Sequence, residues 1–145
     1  MPRLIASLLG EPVDRKRAFN AVLGERSHAA AIDFLLQGIV HNTAKSGALL
    51  AAQGMFAVVG TYAMEHGWPV VLVLPAMILL LSGALLAMTI LRSTAGTYRP
   101  GADQEAVAAQ MFALVIARMI RFNLALYMTF VSVILLLIAT IIQAL

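Results

Sequence analysis

Three long stretches of this chain contain no Asp, Glu, Lys or Arg: Ser46–Met64, His66–Leu91 and Phe122–Leu145. A helix must supply about 20 mainly apolar residues to cross a hydrocarbon core of ~30 Å. The second and third stretches exceed that length, and the first reaches it with help from its flanks. The expected fold is an all-α integral membrane protein with three transmembrane helices, over 46–64, 69–91 and 122–143. Composition points the same way. Of 145 residues, 61% are hydrophobic and only 12% are charged, which is more apolar side chain than a soluble domain of this size can bury.

The charges that remain orient the spans. Arg3, Arg15, Lys16, Arg17, Arg26 and Lys45 precede the first span, and Arg92, Arg99, Arg118 and Arg121 lie between the second and third. The connection Glu65-His66-Gly67-Trp68-Pro69 has no basic residue, and none follows Arg121. Short loops rich in Lys and Arg stay on the cytosolic side. The N-terminus is therefore expected in the cytosol and the C-terminus outside, which in a bacterial inner membrane means the periplasm. The opening "MPRLIASLLG" lacks the apolar core and small-residue cleavage site of a secretory signal. The net charge of +3 fits juxtamembrane anchoring. No basic run interleaved with aromatics offers a nucleic-acid surface.

Organisation follows from turn and cap signals. Gly67 and Pro69 make the outer connection a tight turn, so the first two spans form an antiparallel hairpin. Tyr62 and Trp68 fall at the depth of an interfacial aromatic belt, and Pro75 bends the second span modestly. An N-terminal cytosolic segment, 1–26, holds a short amphipathic helix over Arg15–Leu23, capped by Asp14 and stopped by Gly24. From there a stalk, 27–45, gathers Ile32, Leu35, Leu36, Ile39 and Val40 on one face and runs unbroken into the first span. A loop at 94–103 ends on Asp103 as N-cap, and a cytosolic helix, 104–121, leads into the third span. Both stalks reach nearly 30 Å below the bilayer at ~1.5 Å per residue. Two of the three membrane helices are thus extended by cytosolic helical stalks.

No catalytic constellation is present. The chain has no cysteine, which removes disulfides, thiolate metal sites and Cys nucleophiles. Its three His and seven acidic residues form no Ser-His-Asp, His-x-Glu, phosphate-loop or paired-carboxylate pattern. His28, Asp33 and His41 are not at a known ligand spacing, so neither an enzyme nor a metal site is expected. Binding is the better reading. Asp33, Gln37, His41 and Lys45 recur every four residues on one side of the first stalk. Arg118 and Arg121 sit at the matching depth on the second. As single features these are a solvated face and a pair of headgroup anchors. Together, Lys45, Arg118 and Arg121 would hold a phosphate by charge-assisted bonds, while Gln37 and Asn42 supply the donor and acceptor pairs of a nucleobase edge.

The spans also carry a small-residue pattern. Ala44, Ala48 and Ala52 recur at four-residue spacing, as do Gly47 and Ala51, and Gly83 and Ala87 in the second span. Such residues let helix backbones approach closely in lipid, either within the chain or between copies. No charged residue falls inside any span, which argues against a proton relay or ion-coupled transport.

The segment "HNTAKSGALLAAQGMF" resembles the Pycsar membrane effectors (PycTM-like) of bacterial antiphage defence. Their Asp-x-Lys-Ala motif and following Leu-Leu pair are matched here by Lys45, Leu49 and Leu50, with Thr43 at the acid position and Ser46 at the Ala. "RMIRFNLALY" is similar to the family's basic helix entering a last span, and the shared plan covers roughly 34–145. The resemblance implies a cyclic pyrimidine nucleotide, cUMP or cCMP, made by a partner cyclase. The nucleotide would be bound on the cytosolic side around Lys45, with His41 and Asn42 beside it. A response by homo-oligomerisation or disruption of the inner membrane is implied, without a cofactor. Two other expectations stand beside it: an accessory subunit of a larger membrane complex, and a holin-like pore former that needs no ligand.

Overall fold

The computed structural model describes residues 14–24, 28–92 and 103–145. The expected loop at 94–103, Asp103 excepted, lies outside the described residues, as do 1–13 and 25–27 of the N-terminal part. The described chain is helical and contains no strand. Its elements are α1 (Arg15–Gly24), α2 (His28–Glu65), α3 (Val70–Arg92) and α4 (Gln104–Ala144). The last three are long and apolar enough to cross a bilayer.

Local chemistry sets the boundaries. Asp14 Oδ1 accepts from the Arg17 backbone N–H at 3.1 Å, satisfying a donor in the first turn of α1. Asp103 Oδ1 does the same for Glu105 at 3.2 Å at the start of α4. At the far end of α2, Gly67 adopts φ +73°, a conformation that costs a Cβ-bearing residue but not glycine. The Trp68 N–H then donates to the Ala63 carbonyl at 3.0 Å. That bond closes a Schellman motif and turns the chain back through Pro69 into α3.

At ~1.5 Å per residue, the 38 residues of α2 and the 41 of α4 each run for about 60 Å. The 23 residues of α3 cover only about 35 Å. The contacts give the directions. Gly38 lies against Val115, Thr43 bonds Arg118, and Gln53 bonds Thr129, so α2 and α4 rise side by side in parallel. Ser132 of α4 bonds Ala76 of α3, whereas Gly83 meets Ala125, so α3 runs antiparallel to α4. Parallel α2 and α4, with α3 running back against both, is the arrangement required of three successive crossings. The two stalks also touch, which sequence alone left open.

The core is split along this axis. Near the α2–α3 turn, Ala63, Val73, Ala76, Leu80, Leu136 and Ala139 form one buried cluster, with Phe56, Trp68 and Met77 against it. In the stalk region Ala31, Leu35 and Ile39 are buried on α2, and Ala108 and Ile116 on α4. The expected apolar face of the stalk is therefore narrower than its pattern. Leu36 and Val40 point outward, Val40 at 68% exposure. One neighbouring helix, α4, covers only one stripe of α2. Phe19 of α1 tilts against Phe112 of α4 with ring centroids 5.4 Å apart, a favoured aromatic geometry. Around the apolar segments the outer surface is itself apolar. Val58, Val71, Leu81, Phe130 and Leu137 are between 60% and 84% exposed, a belt far beyond what a water-soluble monomer presents.

Candidate functional site

Most of the residues expected to bind a ligand lie on α2, and the structure divides them. Asp33, Gln37, His41 and Lys45 are exposed. Gln37 and His41 stand on a ridge shared by two shallow grooves. One, of about 510 Å³, runs over α2 alone and is lined by Asp33, Leu36, Gln37, Val40, His41 and Ala44. The other, of about 490 Å³, lies between the stalks, where Phe34, Leu35, Gln37, Gly38 and His41 face Val115 of α4. Both fall within the usual size of small-molecule sites. Gly38 matters to the second groove. A Cβ built there would already lie 3.8 Å from Val115 Cγ1, so a larger residue would close it.

Arg118 behaves differently from its expected role as a surface cation. It is buried, at 3% exposure, and its Nη1 donates to Thr43 Oγ1 at 3.2 Å. The Thr43 hydroxyl donates in turn to the Ile39 carbonyl at 2.9 Å. This chain links guanidinium, hydroxyl and backbone across the α2–α4 seam, four residues below the uncharged run that begins at Phe122. Burial, and secondarily the charge of Arg121, lower the Arg118 pKa from its ordinary value. An arginine remains protonated even so. A buried cation placed here therefore holds the two stalks through hydrogen bonds to its charged form.

The three basic residues expected to converge thus occupy different settings. Arg118 is in the seam, Arg121 is exposed, and Lys45 is exposed on α2. Lys45 and Thr43 are two residues apart, about 200° around the helix, so they leave α2 on nearly opposite sides. Neither groove is lined by Lys45, Arg118 or Arg121. Asn42 is half-buried, and its carbonyl accepts from the buried Ser46 hydroxyl at 2.8 Å. The groove between the stalks does lie about one turn below Arg118, because Val115 is three residues before it on α4.

The small residues separate by function. Gly83 and Ala87 are buried in α3, where a Cβ on Gly83 would lie 2.6 Å from Gln53 Nε2 and 3.3 Å from the Ala125 carbonyl oxygen. Glycine is needed there for the three helices to meet. Ala48 and Ala51 are exposed with Ala44, and Gly47 and Ala52 are half-buried. A Cβ on Gly47 would meet nothing within 4 Å. Only the α3 pair packs inside the chain, and the α2 pair borders open surface.

Sequence reasoning missed a polar set inside the apolar segments. Gln53 is 2% exposed, and its Nε2 donates to Thr129 Oγ1 at 2.7 Å. The Thr129 hydroxyl donates onward to the Ala125 carbonyl at 2.8 Å. Ser132 Oγ donates to the Ala76 carbonyl at 2.7 Å. A lone amide within an uncharged run was the available signal for this set, since polar groups in such segments turn toward one another.

The geometry defines a bundle of three bilayer-length helices, two of them prolonged as a paired stalk. Comparison of the chain with known protein families, curated proteins and solved structures finds no match.

Proposed function

We propose that this protein is a non-enzymatic membrane effector gated by a ligand on its stalks. In this reading it sits in a bacterial inner membrane with its N-terminus cytosolic and its C-terminus periplasmic. The ligand is a cyclic pyrimidine nucleotide, cUMP or cCMP, supplied by a partner cyclase. The observation that carries the proposal is the buried Arg118–Thr43 bond joining the stalks of two membrane-length helices. A phosphate offers a guanidinium charged acceptors in a bidentate pair, a stronger kind of bond than the one Arg118 makes to the neutral Thr43 hydroxyl. Capture of Arg118 by phosphate would draw it from Thr43 and loosen the seam between α2 and α4. The base would enter the groove between the stalks one turn below, where the Gln37 amide can read its edge.

The consequence is a shift between stalk packings rather than a chemical step. A hundredfold preference for the released packing amounts to about 2.7 kcal/mol, enough to reverse a modest resting bias. The released chains would then assemble or disrupt the membrane. The test is equilibrium binding of cUMP and cCMP to the detergent-solubilised protein. Loss of binding in Arg118→Met and Gln37→Leu is expected. Unchanged binding in both would discard this site, and no binding by the native chain would discard the ligand.

The exposed Ala44, Ala48 and Ala51 support a second reading, a subunit that docks another membrane protein through α2. In that case a cross-linker at Ala48→Cys captures a different protein, with no dependence on nucleotide. Capture of a second copy that increases with nucleotide supports the first reading.

A further inference from the structure

A third groove opens on the opposite part of the molecule, between the apolar segments of α2 and α3. It holds about 470 Å³, within the range of small-molecule sites. Leu50, Gly54 and Ala57 form one wall, Met77, Leu81 and Met88 are on the other, and the buried side chains of Gln53 and Leu80 form the floor. Its mouth is open at Gly54, which is exposed and where a Cβ would meet nothing within 4 Å. Every lining residue except Gln53 is apolar or glycine. A groove of this kind bordered by lipid would ordinarily be indifferent to what fills it.

Gln53 removes that indifference. Its Nε2 is committed to Thr129 and pressed against Gly83, while its Oε1 is buried without a hydrogen-bond partner among the described residues. An amide oxygen has two lone pairs, and leaving it buried and unpaired carries a desolvation cost wherever no water reaches it. What relieves it must bring a donor. Esters, ethers and ketones only accept, so they gain nothing there. A hydroxyl can donate.

We propose that this groove binds a lipid-soluble molecule consisting of an apolar body with a hydroxyl group, the hydroxyl donating to Gln53 Oε1. Free fatty alcohols, acylglycerols and reduced quinols share that chemistry. The oxygen is buried, so a ligand reaches it only as the lining of the groove repacks. That lining includes Met77 and Met88, unbranched side chains that repack readily. The inference rests on the membrane reading of the three helices but not on nucleotide gating.

The experiment uses the full chain in phosphatidylcholine vesicles, a lipid without hydroxyl donors. The probes are a diazirine-bearing hexadecanol and its methyl ether, identical except for the donor. Photolabelling of peptides spanning 50–57 and 77–88 is read by mass spectrometry. The alcohol is expected to label them about fivefold more than the ether, the ratio that one net hydrogen bond supplies. Gln53→Leu should bring the two probes level, and Gly54→Leu, which fills the mouth without touching the core, should suppress both. Equal labelling by alcohol and ether in the native chain overturns the proposal, and that comparison decides the matter even where Gln53→Leu does not fold. A chain that alkali strips from the vesicles overturns the membrane reading together with this inference. Retention with equal labelling overturns the inference alone.

Discussion

Thr43 is a small residue with a large structural consequence. Its hydroxyl accepts from a guanidinium that is 3% exposed, and burial makes the loss of an acceptor costly. Hydrogen bonds to charged groups contribute about 1.5–3 kcal/mol. Thr43→Val, which keeps shape and removes the hydroxyl, should destabilise the protein by about 2 kcal/mol. Thr43→Ser should retain most of the stability. Thermal unfolding in detergent micelles measures both, and equal stability of the Val and Ser variants would mean that Thr43 does not hold Arg118 in place. The residue is legible in sequence only as a polar position near the start of an apolar run. That it faces α4, while Lys45 does not, depends on which stripe of α2 the neighbouring helix covers.

Glycine positions decide how closely the helices approach. At Gly60 a Cβ would collide with Met77 Sδ, and at Gly83 it would meet Gln53 Nε2 at 2.6 Å and backbone at 3.3 Å. Side chains added at such points force shifts costing about 1–3 kcal/mol. Gly83→Val is therefore expected to lower stability by about 2 kcal/mol, whereas Gly54→Val, at an open position, should change it little. The same unfolding measurement compares them, and equal effects would deny α3 its close approach. Gly83 was recognisable from its four-residue spacing with Ala87. The equally regular Ala44, Ala48 and Ala51 looked the same in sequence yet border open surface. Spacing reports that a face can pack closely, and the presence of a neighbour is a separate fact.

For the whole molecule, the parallel run of α2 and α4 with α3 returning fits three crossings with the termini on opposite sides. The absence of cysteine makes this directly measurable. Asp33→Cys and His66→Cys place single thiols on exposed positions, one on the stalk and one at the α2–α3 turn. In intact bacterial spheroplasts a membrane-impermeant maleimide should label His66→Cys at once and Asp33→Cys only after permeabilisation. The reverse pattern would invert the proposed orientation and place the stalks outside.

Sequence alone determined the three bilayer-length helices, the turn at Gly67 and the caps at Asp14 and Asp103. Charge exclusion over whole stretches is a one-dimensional property, and Asp14, Gly67 and Asp103 act on their own few neighbours. The basic residues at the stalk ends were also visible, but their pairing was not. Tertiary structure alone decided that Arg118 is buried against Thr43, that Gln37 and His41 border the groove between the stalks, and that Gln53 reaches Thr129 across the bundle. Those facts depend on the rotation of each helix about its axis. That rotation is set by close packing at Gly83, Ala76 and Leu136 between helices far apart in sequence, where no local pattern records it.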